Sequence, residues 1–327
     1  YCAGQMNPER RELPKLRLQW KKFMAQRDWT QALAAADLML AADTQDKADL
    51  ELLAALYIDK QESAGAMQAL ERLQNKAGQY GYSSFLQARI YYLEERWQDA
   101  LDSGKKALAL GGMSRGQQSL THNLLSKIYK DTGRQTMAAE EDYAAFSCAP
   151  DLSTKAAAYS NYLFSLHYIQ KSPQFMYEAA CRYGELFREI HVYSHAANRE
   201  HAKLRIGYIS PDFSFHIVAF FSYAFFQQYD VNRFEVYGYA NCPDNFISRE
   251  FAAAATCWRN ITGNSPAEAA QWIYEDEIDI LVDLSGHTNN NCLPVLAYKP
   301  APVQISGIGW FNTTGLPAVD YFLADDY

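Results

Sequence analysis

Apolar positions along this chain follow two rhythms, and one gives way to the other near residue 204. In the first half, small and aromatic residues recur at helical spacing and in a long period. Alanines fall at Ala32, Ala66 and Ala100, with separations of 34 and 34, and an aromatic precedes each by nine positions at Phe23, Tyr57 and Tyr91. Tyr129 and Ala138 continue the series, displaced by 38 because Gly111-Gly112-Met113-Ser114 lengthens the turn before them. From Leu204 onward, short apolar runs alternate with amphipathic stretches, which is the pattern of strands separated by helices.

A 34-residue period with a small residue, an aromatic, a second alanine and a closing proline is the signature of tetratricopeptide repeats. The third unit shows it best, with Ala88, Tyr91, Ala100 and Ala107; the fourth gives Ser126, Tyr129, Ala138, Ala145 and the closing Pro150. Small residues let the paired helices approach, and the aromatic fills the gap to the next unit. Four aromatic–alanine pairs in register argue against a generic bundle. The first unit fits least well, because Trp20 stands where a small residue is expected. The expectation is a helical solenoid over residues 1–150.

Beyond Pro150 the helices lose register. Asp151 or Ser153 caps one helix through Ile169, and Ser172-Pro173 opens another through about Ile190. Their aromatic set (Tyr159, Tyr162, Phe164, Phe175, Tyr183, Phe187) suggests a transition module over residues 151–202. It ends in a polar segment with His191, His195 and His201. Those histidines could seat a metal, but carboxylate and cysteine partners are few nearby, and a solvated linker is the better expectation.

In residues 203–327, strands are expected at Leu204–Ser210, Phe234–Ala240, Trp258–Thr262, Ile278–Leu284, Val303–Ile308 and Val319–Leu323. Helices between them imply βαβ units and a parallel sheet. Ligands of such sheets sit beyond the carboxyl ends of the strands. There the chain places Asp212 and His216 after the first strand, and Gly286, His287 and Thr288 after the fourth. Thr313, Thr314 and Gly315 follow the fifth. A histidine opening a helix can act as a general base or hydrogen-bond a phosphate, and it can equally be a structural cap. No GxGxxG or GxxxxGK[ST] phosphate loop is present.

Composition narrows the partners. The 327 residues are 49% hydrophobic and carry a net charge of −8, which argues against general nucleic-acid binding. The most apolar run, Ile217 to Phe226, is far short of the ~20 residues a membrane helix needs. Six cysteines without a CxxC pair suit reduced thiols and a cytoplasmic location.

The order and spacing of several motifs resemble the O-linked N-acetylglucosamine transferase family, including its SPINDLY-type members. They are Ser160-Asn161-Tyr162-Leu163-Phe164, Leu204–Ser210 with Asp212-Phe213 and His216, Ile280 to Thr288, Lys299 to Gln304, and Thr313 to Pro317 with Asp320-Tyr321. The resemblance implies a tetratricopeptide solenoid followed by an α/β Rossmann-like domain, the first, incomplete half of a GT-B glycosyltransferase. Such an enzyme moves a sugar from a nucleotide donor to Ser or Thr of proteins. By the same resemblance, His216 is catalytic, and Asp212, Gly286, His287 and Thr288 border the cleft. Thr313, Thr314 and Gly315 face the donor. The implied donor is UDP-N-acetylglucosamine, with no metal or cofactor, and the solenoid presents acceptor polypeptides.

This chain has Trp310-Phe311-Asn312 where the family has Tyr-Pro-Gly, and Ala255-Thr256-Cys257-Trp258 where animal members carry a second cleft histidine. The start at Tyr1 and the end at Tyr327 suggest a fragment lacking the donor-binding half, which alone would bind UDP weakly or not at all. The competing expectation is a repeat scaffold whose α/β part is a non-catalytic remnant.

Overall fold

A computed structural model describes residues 8–26, 28–195 and 201–324. It divides into two units, Tyr1–Cys148 and Ala149–Tyr327. The first is a row of helix pairs: α1 (Pro8–Gln26) with α2 (Trp29–Ala41), α3 (Lys47–Asp59) with α4 (Ser63–Ala77), α5 (Gly81–Leu93) with α6 (Trp97–Leu110), and α7 (Arg115–Asp131) with α8 (Gln135–Cys148). The repeat alanines Ala32, Ala66, Ala100 and Ala138 have no accessible surface. A larger side chain at any of them would push a helix pair apart. Tyr57 and Tyr129 are buried beside them. Trp20, out of pattern for a small position, is buried with Phe23, Leu13 and Leu16 packed against the same core.

The second unit opens with α9 (Leu152–Leu166) and α10 (Pro173–Glu185), each started by the side chain of a capping residue, Asp151 and Ser172. The Tyr159 hydroxyl donates to the carbonyl of Ala179 and joins the two helices. The sheet follows: β1 (Leu204–Ser210), β2 (Phe234–Ala240), β3 (Cys257–Asn260), β4 (Ile280–Asp283), β5 (Val303–Gly307) and β6 (Tyr321–Leu323). Its order is β3-β2-β1-β4-β5-β6 and every pairing is parallel. This is the Rossmann order, whose topological switch point falls between β1 and β4. Covering helices are α11 (Ile217–Gln227), α12 (Phe246–Ala254), α13 (Pro266–Glu275) and the short α14 (Leu293–Leu296). Phe213, Phe226, Phe251 and Val236 form the core under α11 and α12.

The polar segment before β1 is not a solvated linker where it is described. Tyr193 stacks on Tyr274 at 4.3 Å, and its amide donates to the carbonyl of Tyr298. The Tyr274 hydroxyl donates to the Ser194 carbonyl, and His195 Nε2 donates to the Lys299 carbonyl at 2.8 Å. His201 lies between Asp279 and Glu277 at 3.0 and 3.2 Å. These pairings spend His195 and His201 on protein partners, while His191 is exposed. Periodicity misses them because each reaches a residue about 75–105 positions away. Residues 196–200 of that segment lie outside the described residues.

Candidate functional site

Three loops at the carboxyl ends of β1, β4 and β5 were expected to form the site, and their side chains have very different surroundings. After β1, the Ser210 hydroxyl accepts from the Asp212 amide, and a tight turn brings the chain to His216 at the N-cap of α11. His216 Nδ1 accepts from the Val218 amide at 3.3 Å and lies 3.7 Å from Asp212 Oδ1. The ring is exposed. Asp212 is largely buried, its Oδ2 has no hydrogen-bond partner among the described residues, and burial pushes its carboxyl upward. The positive charge of a protonated His216 opposes that rise, and the nearby Asp283 adds to it. In the capping tautomer the ring carries its proton on Nε2. Asp212 Oδ1, at 3.7 Å, is close enough to act on the ring by its charge without a hydrogen bond to it.

The β4 loop is built inward. Asp283 has no accessible surface, and its carboxylate accepts from the Ser285 amide and hydroxyl, the Gly286 amide and the Ser306 hydroxyl. Burial raises its pKa while these four donors work to lower it. Gly286 has φ +56°, and a Cβ there would lie 2.2 Å from Cβ of Trp310, so only glycine fits. His287 is 1% exposed. Its Nε2 donates to the carbonyl of Thr314 at 2.9 Å, and its Nδ1 accepts from the Ser160 hydroxyl at 2.9 Å. Tyr183 and Trp310 pack their rings against it at 4.5 and 5.2 Å. Burial holds the imidazole neutral, with its pKa lowered to about 4. Both nitrogens are committed, so His287 is a clasp tying α9 to the loop after β5 and does not border a cleft.

The turn after β5 divides in the same way. Thr313 is exposed and its hydroxyl accepts from the Gly315 amide. Thr314 is buried, and its hydroxyl accepts from the Leu316 amide. Gly315 has φ +69°, and a Cβ there would meet the Ala180 carbonyl oxygen at 1.9 Å. Gly315 therefore seats α10, and Thr314 is held within the turn. Trp310, at the position where the usual family pattern differs, fills the space between these loops, with Phe164 and His167 against it at 6.3 and 4.8 Å.

Of the predicted residues, Thr288 does reach a cavity. It lines a polar space of about 480 Å³ together with Ser160, Asn161, Asn241, Asn264 and Asn290. Its hydroxyl oxygen is buried without a hydrogen-bond partner among the described residues. A second cavity of about 440 Å³ reaches from Pro211, Ser214 and Phe215 to the same Asn241 and Asn290. The two spaces share those walls and run from the β1 loop, past the switch point, to α9. Hydrogen-bonding side chains dominate the first, as a sugar or peptide requires. Asn241 follows directly on β2, a position the strand-end rule would have picked out. Ser160 and Asn161 stand some 40 residues before β1, where no such rule reaches. Among the described residues, no group of three or more His, Cys, Asp or Glu side chains is arranged to hold a metal.

Comparison with known proteins agrees with this architecture. Residues 182–327 match the sequence model of Glycosyl transferase family 41. A Petunia hybrida protein described as "Probable UDP-N-acetylglucosamine--peptide N-acetylglucosaminyltransferase SPINDLY" is 34% identical over 175 residues, covering 50% of this chain and 19% of that protein. The Arabidopsis thaliana protein of the same description is 36% identical over 174 residues, with the same coverage. A solved Thermobaculum terrenum O-GlcNAc transferase, mutant K341M, superposes with a TM-score of 0.70 at 25% identity, covering 86% of this chain and 54% of that one. The resemblance read from the motifs is thus borne out. The chain spans about a fifth of the length of these curated relatives and about half of the solved structure.

Proposed function

We propose that this chain is part of a protein O-glycosyltransferase that moves N-acetylglucosamine from UDP-N-acetylglucosamine to Ser or Thr of polypeptides, with no resident cofactor. The observation that carries the reading is the His216–Asp212 pair. It stands at the carboxyl end of β1, beside the switch point, in a segment that matches a glycosyltransferase family. His216, oriented by Asp212, is the residue proposed to exchange a proton with the acceptor hydroxyl or to hydrogen-bond the donor's phosphate. Thr288 and the asparagine-rich cavity are proposed to hold neutral parts of the substrates. The helix-pair array is proposed to present acceptor polypeptides, as solenoid surfaces do.

The assay is sugar transfer to protein by the gene product containing this chain, with UDP-N-acetylglucosamine as donor. His216→Ala is expected to lower kcat by ~10²-fold or more, the range for a lost general acid–base group. Near-normal turnover would remove His216 from the chemistry. Asp212→Asn is expected to shift the pH profile of kcat as well as its height. No transfer with any UDP- or GDP-sugar would favour a repeat scaffold carrying an inactive α/β part. No helix among the described residues is long and apolar enough to cross a membrane; a cytoplasmic site of action, where Cys148, Cys181, Cys242, Cys257 and Cys292 stay free thiols, completes the proposal.

A further inference from the structure

In the loop after β1, one side chain has no structural account. Phe215, the residue before His216, is 85% exposed. The backbone around it is closed by two short bonds: the Ser214 amide donates to the Asp212 carbonyl and the His216 amide to the Ser214 carbonyl, both at 2.7 Å. This turn directs His216 to the cap of α11 and leaves Phe215 outside. The ring is nevertheless held, because Phe220 packs edge-on against it at 5.8 Å. A phenyl kept in water forfeits the gain of burial, and loops at strand ends are where a rigid sheet presents contacts to a ligand.

Phe215 lines the cavity of about 440 Å³ beside the His216 loop, and Phe246, 72% exposed, lines it too. Asn241 and Asn290 supply hydrogen-bonding groups to the same space. No charged residue lines it, nor the polar cavity that it meets at those two asparagines. Arg249, the cation on α12, is paired with Asp244. A diphosphate calls for converging charged donors, which this space lacks. It fits an uncharged ligand with one apolar part and one hydrogen-bonding part, and a polypeptide segment has both.

We propose that Phe215, together with Phe246, receives a large apolar side chain of the acceptor polypeptide near the hydroxyl that is modified. These two residues then set acceptor preference. The inference rests on the glycosyl-transfer reading and adds to it the class of acceptor sequence. Phe215 and His216 are chain neighbours, ~3.8 Å apart at Cα, and an extended acceptor advances ~3.3–3.6 Å per residue. A hydroxyl at His216 and an apolar side chain at Phe215 are therefore only a few positions apart in one acceptor.

The test is sugar transfer by the gene product containing this chain, with UDP-N-acetylglucosamine as donor. Acceptors are alanine-rich peptides with one Ser or Thr, in which a single leucine is walked along both sides of the hydroxyl. At its best position the leucine is expected to raise kcat/KM by about 10-fold or more over the all-alanine peptide, chiefly through KM. Phe215→Ala is expected to bring that ratio close to one, and Phe215→Tyr, which keeps a ring, to preserve it. Phe246→Ala is the second variant and should also lower the ratio. Equal kcat/KM for every peptide would overturn this inference alone, as would a preference that both alanine variants retain. A raised KM for the donor in Phe215→Ala, with the leucine preference intact, would give the ring to the donor and overturn it as well. No transfer to any peptide or protein would overturn the glycosyl-transfer reading and this inference with it.

Discussion

The loops after β1 and β4 start from the same prescription and end in opposite roles. Each follows a central strand of one parallel sheet, each carries an aspartate and a histidine within a few residues, and each lies beside the switch point. In the β1 loop the histidine is exposed, and one of its nitrogens caps a helix with a carboxylate 3.7 Å away. In the β4 loop the histidine has no freedom left: Ser160, Thr314, Tyr183 and Trp310 surround it. The difference lies in what α9 and α10 cover. They sit on the β4 and β5 loops and turn them into core, leaving the β1 loop to solvent and to ligands. A histidine at a strand end is thus a site residue only where no other element claims its nitrogens.

The comparison can be broken first at His287. Replacing it with alanine removes two buried hydrogen bonds and opens a cavity, and should cost about 3–4 kcal/mol in urea unfolding. His216→Ala, which removes only a cap, should cost about 1 kcal/mol or less. Equal losses would show that the two loops are not distinguished by burial.

A related effect follows from pH. The unfolded imidazole titrates near 6.5 and the buried one near 4. On acidification the unfolded chain therefore takes up the proton first. Stability should fall by about 3 kcal/mol between pH 6.5 and 4 on this account and stay level above it. Asp283, with its pKa raised from 3.8, contributes the opposite slope in the acid range. The His287 share is therefore the difference between the parent and His287→Gln, which keeps the Asp283 slope and should lose the fall between pH 6.5 and 4.

Gly315→Ala tests the seat of α10 directly. A β-carbon 1.9 Å from the Ala180 carbonyl oxygen, on a backbone at positive φ, should cost about 2–3 kcal/mol or displace the helix. The smallest effect is expected at Ser160→Ala. It leaves His287 Nδ1 without its donor and should cost about 1 kcal/mol, measured as a shift of the urea midpoint at unchanged m-value. A loss as large as that of His287→Ala would place the main strength of the clasp on the α9 side.

Much of the fold was legible in the chain itself. The 34-residue period named the helix pairs, because each alanine must vanish into a contact and the requirement repeats with every unit. Strand ends at Leu204–Ser210 and Phe234–Ala240 agree with the structure to the residue, since continuous apolar runs bounded by proline or turn residues have few other uses. The site was legible only in part. His216 could be placed because a helix start is a local feature, and Thr288 because it follows a strand. The asparagine cavity was missed because its walls come from α9, from the end of β2 and from the β4 loop, which meet only after folding.

What the sequence alone determined, then, is the kind of each element and the order in which strands and helices follow one another. Local periodicity and capping chemistry decide these within a few residues of chain. What tertiary structure decided is which polar side chains remain available. Ser160 meets His287 across 127 residues, and Gly184 meets Gly315 across a comparable stretch. The hydrogen-bonding capacity of a strand-end residue is spent or left free by partners that packing brings from far along the chain, and no local pattern records that choice.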